Sequence, residues 1–423
     1  FRKQFVDIGD CKLYCEIEGE GIPIVVINGG PGGTHHCFHP WFSQTKDYCK
    51  VIYYDQRGCG LSDFNKGNGY SFRQAIDDLD KLRQKLGIKN WIVCGYSYGG
   101  ALAQYYTTVY PVHVLGMVLV SSAPLLQNEI LNYTREYVYI SKEEEQRIDS
   151  IYSLFDQGKI TDLQLLYNKD LNGDWKRQNY YKPTKEELIR GALYEWINDT
   201  GFNQTVGKCY GRYNFEHVFD SCPIPTLLCE GKWDLTWKED KVELLRKNHP
   251  NAKMVVFENS GHKIYHDEPE RFFLKLKEYI KSLKPVSQNE INKWIKQRNR
   301  ILAPQEKIFE NEAHFSTLID SSGIEKALTY FRDFKVKNEN EILFSENGII
   351  DLGYSYMYKK EYDIAIKLFE LNVESFPDSW NVYDSLGEAY LLIGNKEKAI
   401  ENYKKSIALN PDNNNGKKLL KEI

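Results

Sequence analysis

The chain has 423 residues, 42% of them hydrophobic and 27% charged, with 55 basic against 59 acidic side chains and a formal net charge of -4. So much apolar material supplies a sizeable core and excludes disorder as a description of the whole chain. The near-balance of charge argues against a nucleic-acid surface, and no run reaches the roughly eighteen apolar residues of a membrane helix, so neither nucleic acid nor membrane is an expected partner.

At roughly 150 residues per domain, the length predicts two or three structural units. In chain order, residues 5–8 and 13–17 flank Gly9-Asp10 and read as an opening hairpin. Residues 24–27, 51–54 and 91–94 are short apolar runs without alternation, as in parallel strands covered on both faces. Between the last two, Ile76, Leu79, Leu82 and Leu86 recur at helical spacing, with Gly87 just beyond. A helix over 99–110, stopped by Pro111, and a buried strand over 114–120 follow. This alternation predicts an α/β doubly wound domain. From 124 to 222 the β-rich runs give way to charged helical stretches over 141–154 and 184–197. Strands return at 226–229 and 254–257, with helices over 239–248 and 268–283. A helical insertion therefore interrupts a sheet that resumes after it, the kind of place where α/β folds keep their function.

Beyond Pro285 a polar stretch over 285–322 reads as a linker to the last hundred residues. There Leu352, Gly353, Tyr356, Ala365, Phe369 and Pro377 recur 34 residues later as Leu386, Gly387, Tyr390, Ala399, Tyr403 and Pro411. That period and those residue types resemble the tetratricopeptide repeat, a pair of helices packed closely through small residues. Ala327 and Phe331 fit a degenerate earlier repeat, and 417–423 a capping helix. Such arrays commonly hold a protein partner. The expected boundaries are 1–123 and 223–284 for the α/β core, 124–222 for the insertion and 323–423 for the repeats.

Nine cysteines offer no CxxC pair, and Cys94 and Cys229 fall in apolar strand-like runs. No metal and no disulfide scaffold is expected, and the usage points to a reducing, cytoplasmic compartment. The chain opens on Phe1, and a removed export signal would leave no trace in it.

Chemistry concentrates in four segments. Gly95-Tyr96-Ser97-Tyr98-Gly99-Gly100 follows a predicted strand and opens a predicted helix, the context of a G-x-S-x-G turn that exposes a nucleophilic serine. A serine hydroxyl needs a base. Asp234, in Gly231-Lys232-Trp233-Asp234, and His262, in Ser260-Gly261-His262, each fall just past a predicted strand end. His262 would exchange the proton of Ser97, and Asp234 would orient the imidazole. For Asn28-Gly29-Gly30-Pro31-Gly32-Gly33 three roles compete: phosphate cradle, plain turn or oxyanion donor. Neither a Walker ending nor a G-x-G-x-x-G spacing is present. As an oxyanion hole, Gly30 and Tyr98 would donate their N–H groups, with Gly29 shaping the loop.

Together with Asp55-Gln56-Arg57-Gly58-Cys59-Gly60-Leu61-Ser62, these motifs resemble the proline iminopeptidase family of α/β-hydrolases over residues 1 to about 283. The resemblance implies an α/β-hydrolase fold with an inserted helical cap, followed here by the all-α tetratricopeptide-like domain. It implies cofactor-independent release of an N-terminal residue, often proline, from a peptide. It also implies cap carboxylates for the substrate's α-ammonium, for which Glu195 and Glu216 are candidates; Trp233 is a further candidate contact. Asp55 and Arg57 read as scaffold. Leu235, where some relatives carry an acid, departs from the pattern and leaves an esterase or lactonase open. A repeat-bearing interaction protein with a relic hydrolase domain is the remaining alternative, weakened because every triad and oxyanion position is filled.

Overall fold

The computed structural model describes residues 1–64, 70–122, 125, 140–199, 212–234, 239–338 and 341–423. The chain divides into two compact units, Phe1–Ile301 and Leu302–Ile423.

The first unit is built on one eight-stranded sheet. Its strands are β1 (Arg2–Asp7), β2 (Lys12–Glu18), β3 (Ile22–Ile27), β4 (Cys49–Tyr54), β5 (Trp91–Tyr96), β6 (Val114–Val120), β7 (Thr226–Gly231) and β8 (Lys253–Phe257), in the order β1-β2-β4-β3-β5-β6-β7-β8. The β1–β2 hairpin is antiparallel and β2 joins β4 antiparallel; every later pairing is parallel. The unalternating apolar runs behave as expected of strands covered on both faces: Ile24–Ile27 and the whole of β5 are buried.

Helix α1 (Phe72–Lys85) starts where Ser71 accepts from Gln74 N–H, buries Phe72, Ile76, Leu79 and Leu82, and gives way to Gly87 at φ +66°. Helix α2 (Tyr98–Val109) is buried along nearly its whole length. The insertion carries α3 (Lys142–Asp156), α4 (Asp162–Leu171) and α5 (Lys185–Arg190), each opened by a reciprocal capping box, then a π-helical turn, Gly191–Glu195. After it come α6 (Glu239–Asn248), α7 (Ile264–Asp267) and α8 (Pro269–Ser282). Phe272, Phe273 and Leu276 of α8 join Ile24, Val26, Ile92, Val118 and Leu227 in one core. Because β3 lies between β4 and β5, the chain steps from β3 to β4 on one side and then crosses to β5 on the other, and the crevice that opens at the ends of β3 and β5 is where α/β sheets accept ligands.

The segment 285–322, read as a linker, is instead occupied by one helix, α9 (Gln288–Ser322). Its apolar positions are sparse, but Ile291, Trp294 and Leu302 are buried, and Trp294 Nε1–H donates to the Val218 carbonyl at 2.8 Å.

The second unit is all-α. It comprises α10 (Ile324–Lys337), α11 (Glu346–Tyr358), α12 (Tyr362–Ser375), α13 (Trp380–Leu392), α14 (Lys396–Leu409) and α15 (Asn414–Glu422). The 34-residue repeat falls on the α11–α12 and α13–α14 pairs. A Cβ on Gly353 would stand 2.5 Å from the Phe369 ring, and one on Gly387 3.2 Å from the Tyr403 ring. The small residue thus admits the aromatic of its partner helix in both repeats. Among the described residues no helix is long and apolar enough to cross a membrane.

Candidate active site

Ser97 sits between β5 and α2 with φ +55° and ψ -121°, a conformation costing on the order of 1–3 kcal/mol that the surroundings must enforce. They do so through backbone proximity. Ser97 N–H donates to the Val120 carbonyl at 2.9 Å, and Gly100 N–H to the Ser97 carbonyl at 2.9 Å. A Cβ on Gly95 would lie 2.1 Å from the Gly99 carbonyl oxygen, and a Cβ on Gly99 2.1 Å from the Ile27 carbonyl oxygen. The glycines of the motif therefore let strand, turn and helix touch, leaving Ser97 at the positive end of α2.

The glycine loop after β3 closes over this turn. Gly30 adopts φ +134°, and a Cβ on Gly29 would stand 3.1 Å from Ser97 Cβ. Asn28, fully buried, donates from Nδ2 to the Gly33 carbonyl, and Gln56 Nε2 donates to Asn28 Oδ1 at 3.3 Å. Gly30 N–H makes no hydrogen bond among the described residues, and Tyr98 supplies the first amide of α2.

On the other side, a Cβ on Gly231 would meet the Gly261 carbonyl oxygen at 2.0 Å, and Trp233 N–H donates to the Ser260 carbonyl at 2.9 Å. These contacts bring the loops after β7 and β8 together, and His262 Nδ1 meets Asp234 Oδ2 at 2.6 Å. Asp234 is 1% exposed. Ser121, at φ +48° beyond β6, donates from Oγ to the His262 carbonyl at 2.7 Å, and the Tyr96 ring lies 5.1 Å from the imidazole. With Nδ1 engaged by a carboxylate, Nε2 is the acceptor nitrogen, as a general base requires. Ser97 and His262 line one cavity without a hydrogen bond between them; such bonds commonly tighten only when substrate binds.

That cavity measures about 800 Å³ and is roofed by the insertion. Helix α3 presents Asp149, Tyr152, Ser153 and Asp156, spaced three, one and three residues apart so that they share one face. A second cavity of about 380 Å³ shares the Lys169, Glu195 and Lys263 walls. The roof is fastened to the core loops. Asp267 Oδ2 accepts from Gly261 N–H at 2.9 Å and from Tyr180 N–H at 2.8 Å. Thr34 N–H donates to the Glu195 carbonyl at 3.0 Å, and Gly60 N–H to the Ile197 carbonyl at 2.7 Å.

Gly29, Gly30, Ser97, Tyr98, Asp234 and His262 all line this cavity, as does Glu195. The binding candidates differ in their surroundings. Glu195 is already paired: Lys263 Nζ lies 2.7 Å from its Oε2, the two side chains being 16% and 9% exposed. Burial opposes the Lys263 charge, yet the Glu195 carboxylate outweighs it and holds the ammonium above the ordinary lysine range. Glu216 is exposed, 3.4 Å from Lys247, and absent from the cavity wall. Trp233 is 50% exposed and outside the wall as well, its Nε1–H bound to the Glu258 carbonyl. Leu235 lies outside the described residues. Missed in the sequence were Lys263, directly after His262, and Asp149 and Asp156, whose spacing of seven on a charged helix was the available signal. Neither aspartate forms an ion pair among the described residues.

A buried pair stripped of one member leaves an uncompensated charge. Lys263→Met is therefore expected to destabilise the protein by about 3 kcal/mol, measured by urea unfolding, whereas Lys263→Met combined with Glu195→Gln should recover most of the loss.

The chain belongs to the alpha/beta hydrolase fold family, whose model matches residues 22–269; the tetratricopeptide repeat model matches residues 385–413. Among similar proteins, a proline iminopeptidase of Saccharolobus solfataricus is 27% identical over 274 residues, covering 64% of this chain and 87% of that one. A cis-3-alkyl-4-alkyloxetan-2-one decarboxylase of Shewanella oneidensis is 24% identical over 293 residues, covering 66% and 88%. The solved structure of an esterase from Exiguobacterium antarcticum superposes with a TM-score of 0.51 at 21% identity over 66% of this chain and all of that one, a likeness of fold.

Proposed function

We propose that the protein is a serine hydrolase that releases an N-terminal residue, proline favoured, from peptides through an acyl-enzyme. Ser97 Oγ attacks the scissile carbonyl carbon while His262 Nε2 takes its proton. Asp234 holds the imidazole and stabilises its cation. The Gly30 and Tyr98 N–H groups receive the developing oxyanion. His262 then protonates the departing amine and guides the water that frees the acyl group. No cofactor takes part in this sequence. The observation that carries the reading is the 2.6 Å bond between His262 and a buried Asp234 on the wall of the cavity that also holds Ser97.

Charge favours an amine substrate. The wall contributes five carboxylates (Asp149, Asp156, Asp174, Glu195 and Asp234) against three permanent cations (Lys169, Arg177 and Lys263). Glu195 is neutralised by Lys263, and Asp174 by Lys169 at 2.6 Å and Arg177 at 2.5 Å, so the α-ammonium falls to Asp149 and Asp156. The neutralised Glu195 is also the one observation that favours an esterase, which needs no ammonium site. Both readings meet in one experiment. Prolyl-arylamide should be turned over, and acetylation of its amine should lower kcat/KM by about a hundredfold or more. Equal turnover of the acetylated arylamide, or activity on simple esters alone, would exclude the aminopeptidase. The repeats are proposed to hold a protein partner.

A further inference from the structure

We propose that Glu16, His35 and His39 form a binding site for one divalent transition-metal cation, with zinc the best-matched ion. Three of the nine histidines fall within five residues, His35, His36 and His39, and the fold turns two of them onto β2. One donor atom from each of Glu16, His35 and His39 lies within 4.8 Å of the others. His39 Nε2 stands 3.0 Å from Glu16 Oε2, and His35 Nε2 3.7 Å from Glu16 Oε1. Donors bound at about 2.0–2.2 Å in a tetrahedron stand roughly 3.3–3.6 Å apart, so small side-chain adjustments suffice.

A further feature fits a metal. His35 Nδ1 bonds Asp55 Oδ1 at 2.8 Å, which leaves Nε2 as the lone-pair nitrogen facing Glu16; a carboxylate behind a ligating imidazole is the usual support of such ligands. Glu16 Oε1 also accepts from the Tyr14 hydroxyl at 2.6 Å and lies 3.2 Å from the Lys3 ammonium, a competing cation whose side chain, 62% exposed, is able to swing out when a metal enters. Two imidazoles and one carboxylate suit zinc and its neighbours rather than magnesium or calcium. A water would complete the set. Since His35 lies two residues past Gly33 of the glycine loop and Glu16 belongs to β2, the ion would brace that loop against the sheet.

The full chain, freed of metal by a chelator and dialysed, is titrated with Zn²⁺ by calorimetry while its thermal unfolding is followed. One saturable equivalent and a rise in Tm of about 3–5 °C are expected, with no effect of Mg²⁺. Glu16→Gln and His39→Gln, each checked for folding by circular dichroism, should each weaken binding at least tenfold and abolish the Tm shift. No saturable binding to the unaltered chain would overturn the proposal. So would equal binding by the folded variants, which would move the zinc to cysteines or other histidines.

Discussion

Ser97→Ala is expected to lower kcat on any substrate of this protein by about 10⁴- to 10⁶-fold while leaving the unfolding curve nearly unchanged. In the proposed mechanism, removing the hydroxyl deletes the attacking atom. The enforced backbone of the turn remains, because it is set by Gly95, Gly99 and the bond to the Val120 carbonyl rather than by the serine side chain. His262→Ala should cost nearly as much, and Ser97→Ala combined with His262→Ala should be no worse than either alone, since the groups act as one unit. Steady-state kinetics on the three variants tests this; a Ser97→Ala protein that retains a tenth of its turnover would remove the serine from the chemistry.

Gly99→Ala is expected to be among the most damaging single-methyl additions in the fold, alongside those at Gly95 and Gly231. The added carbon would lie 2.1 Å from the Ile27 carbonyl oxygen and 2.6 Å from that of Asn28, both backbone atoms at the end of β3 that no side-chain rotation can move. Relief requires α2 to separate from the sheet, at about 3 kcal/mol or more. The displaced segment leads into the glycine loop, so activity should fall as well. Gly87→Ala is the matched control: φ is +66° with nothing within 4 Å, and the cost should stay near 1 kcal/mol, from backbone strain alone. Urea unfolding of the two variants separates lack of space from lack of conformational freedom.

The sheet was legible because its strands carry their burial in composition. Ile24–Ile27 and Val114–Val120 are short apolar runs without alternation, the pattern of a strand covered on both faces. The meeting of Asp234 with His262 was legible for a topological reason: residues just past parallel strands emerge on one rim whatever lies between them. The roof followed no such rule. Glu195 and Lys263 are 68 residues apart, and nothing local distinguishes a glutamate that will meet a buried lysine from one that will stay in water. Glu216 shows the second outcome, exposed although Phe215 beside it is buried. Helix α9 was hidden by composition, since Asn, Gln and Lys dilute an apolar stripe in which Ile291, Trp294 and Leu302 stand three and eight residues apart. A polar stretch reads as linker until its few buried positions are placed on one face.

Reaction with a fluorophosphonate probe, followed by peptide mapping, bears most directly on whether Ser97 is an activated nucleophile. The expected result is one adduct per chain, on the peptide holding Ser97, formed at neutral pH and slowed by about 10³-fold or more in His262→Ala. A chain left unlabelled at Ser97, or labelled equally fast without the imidazole, would contradict it.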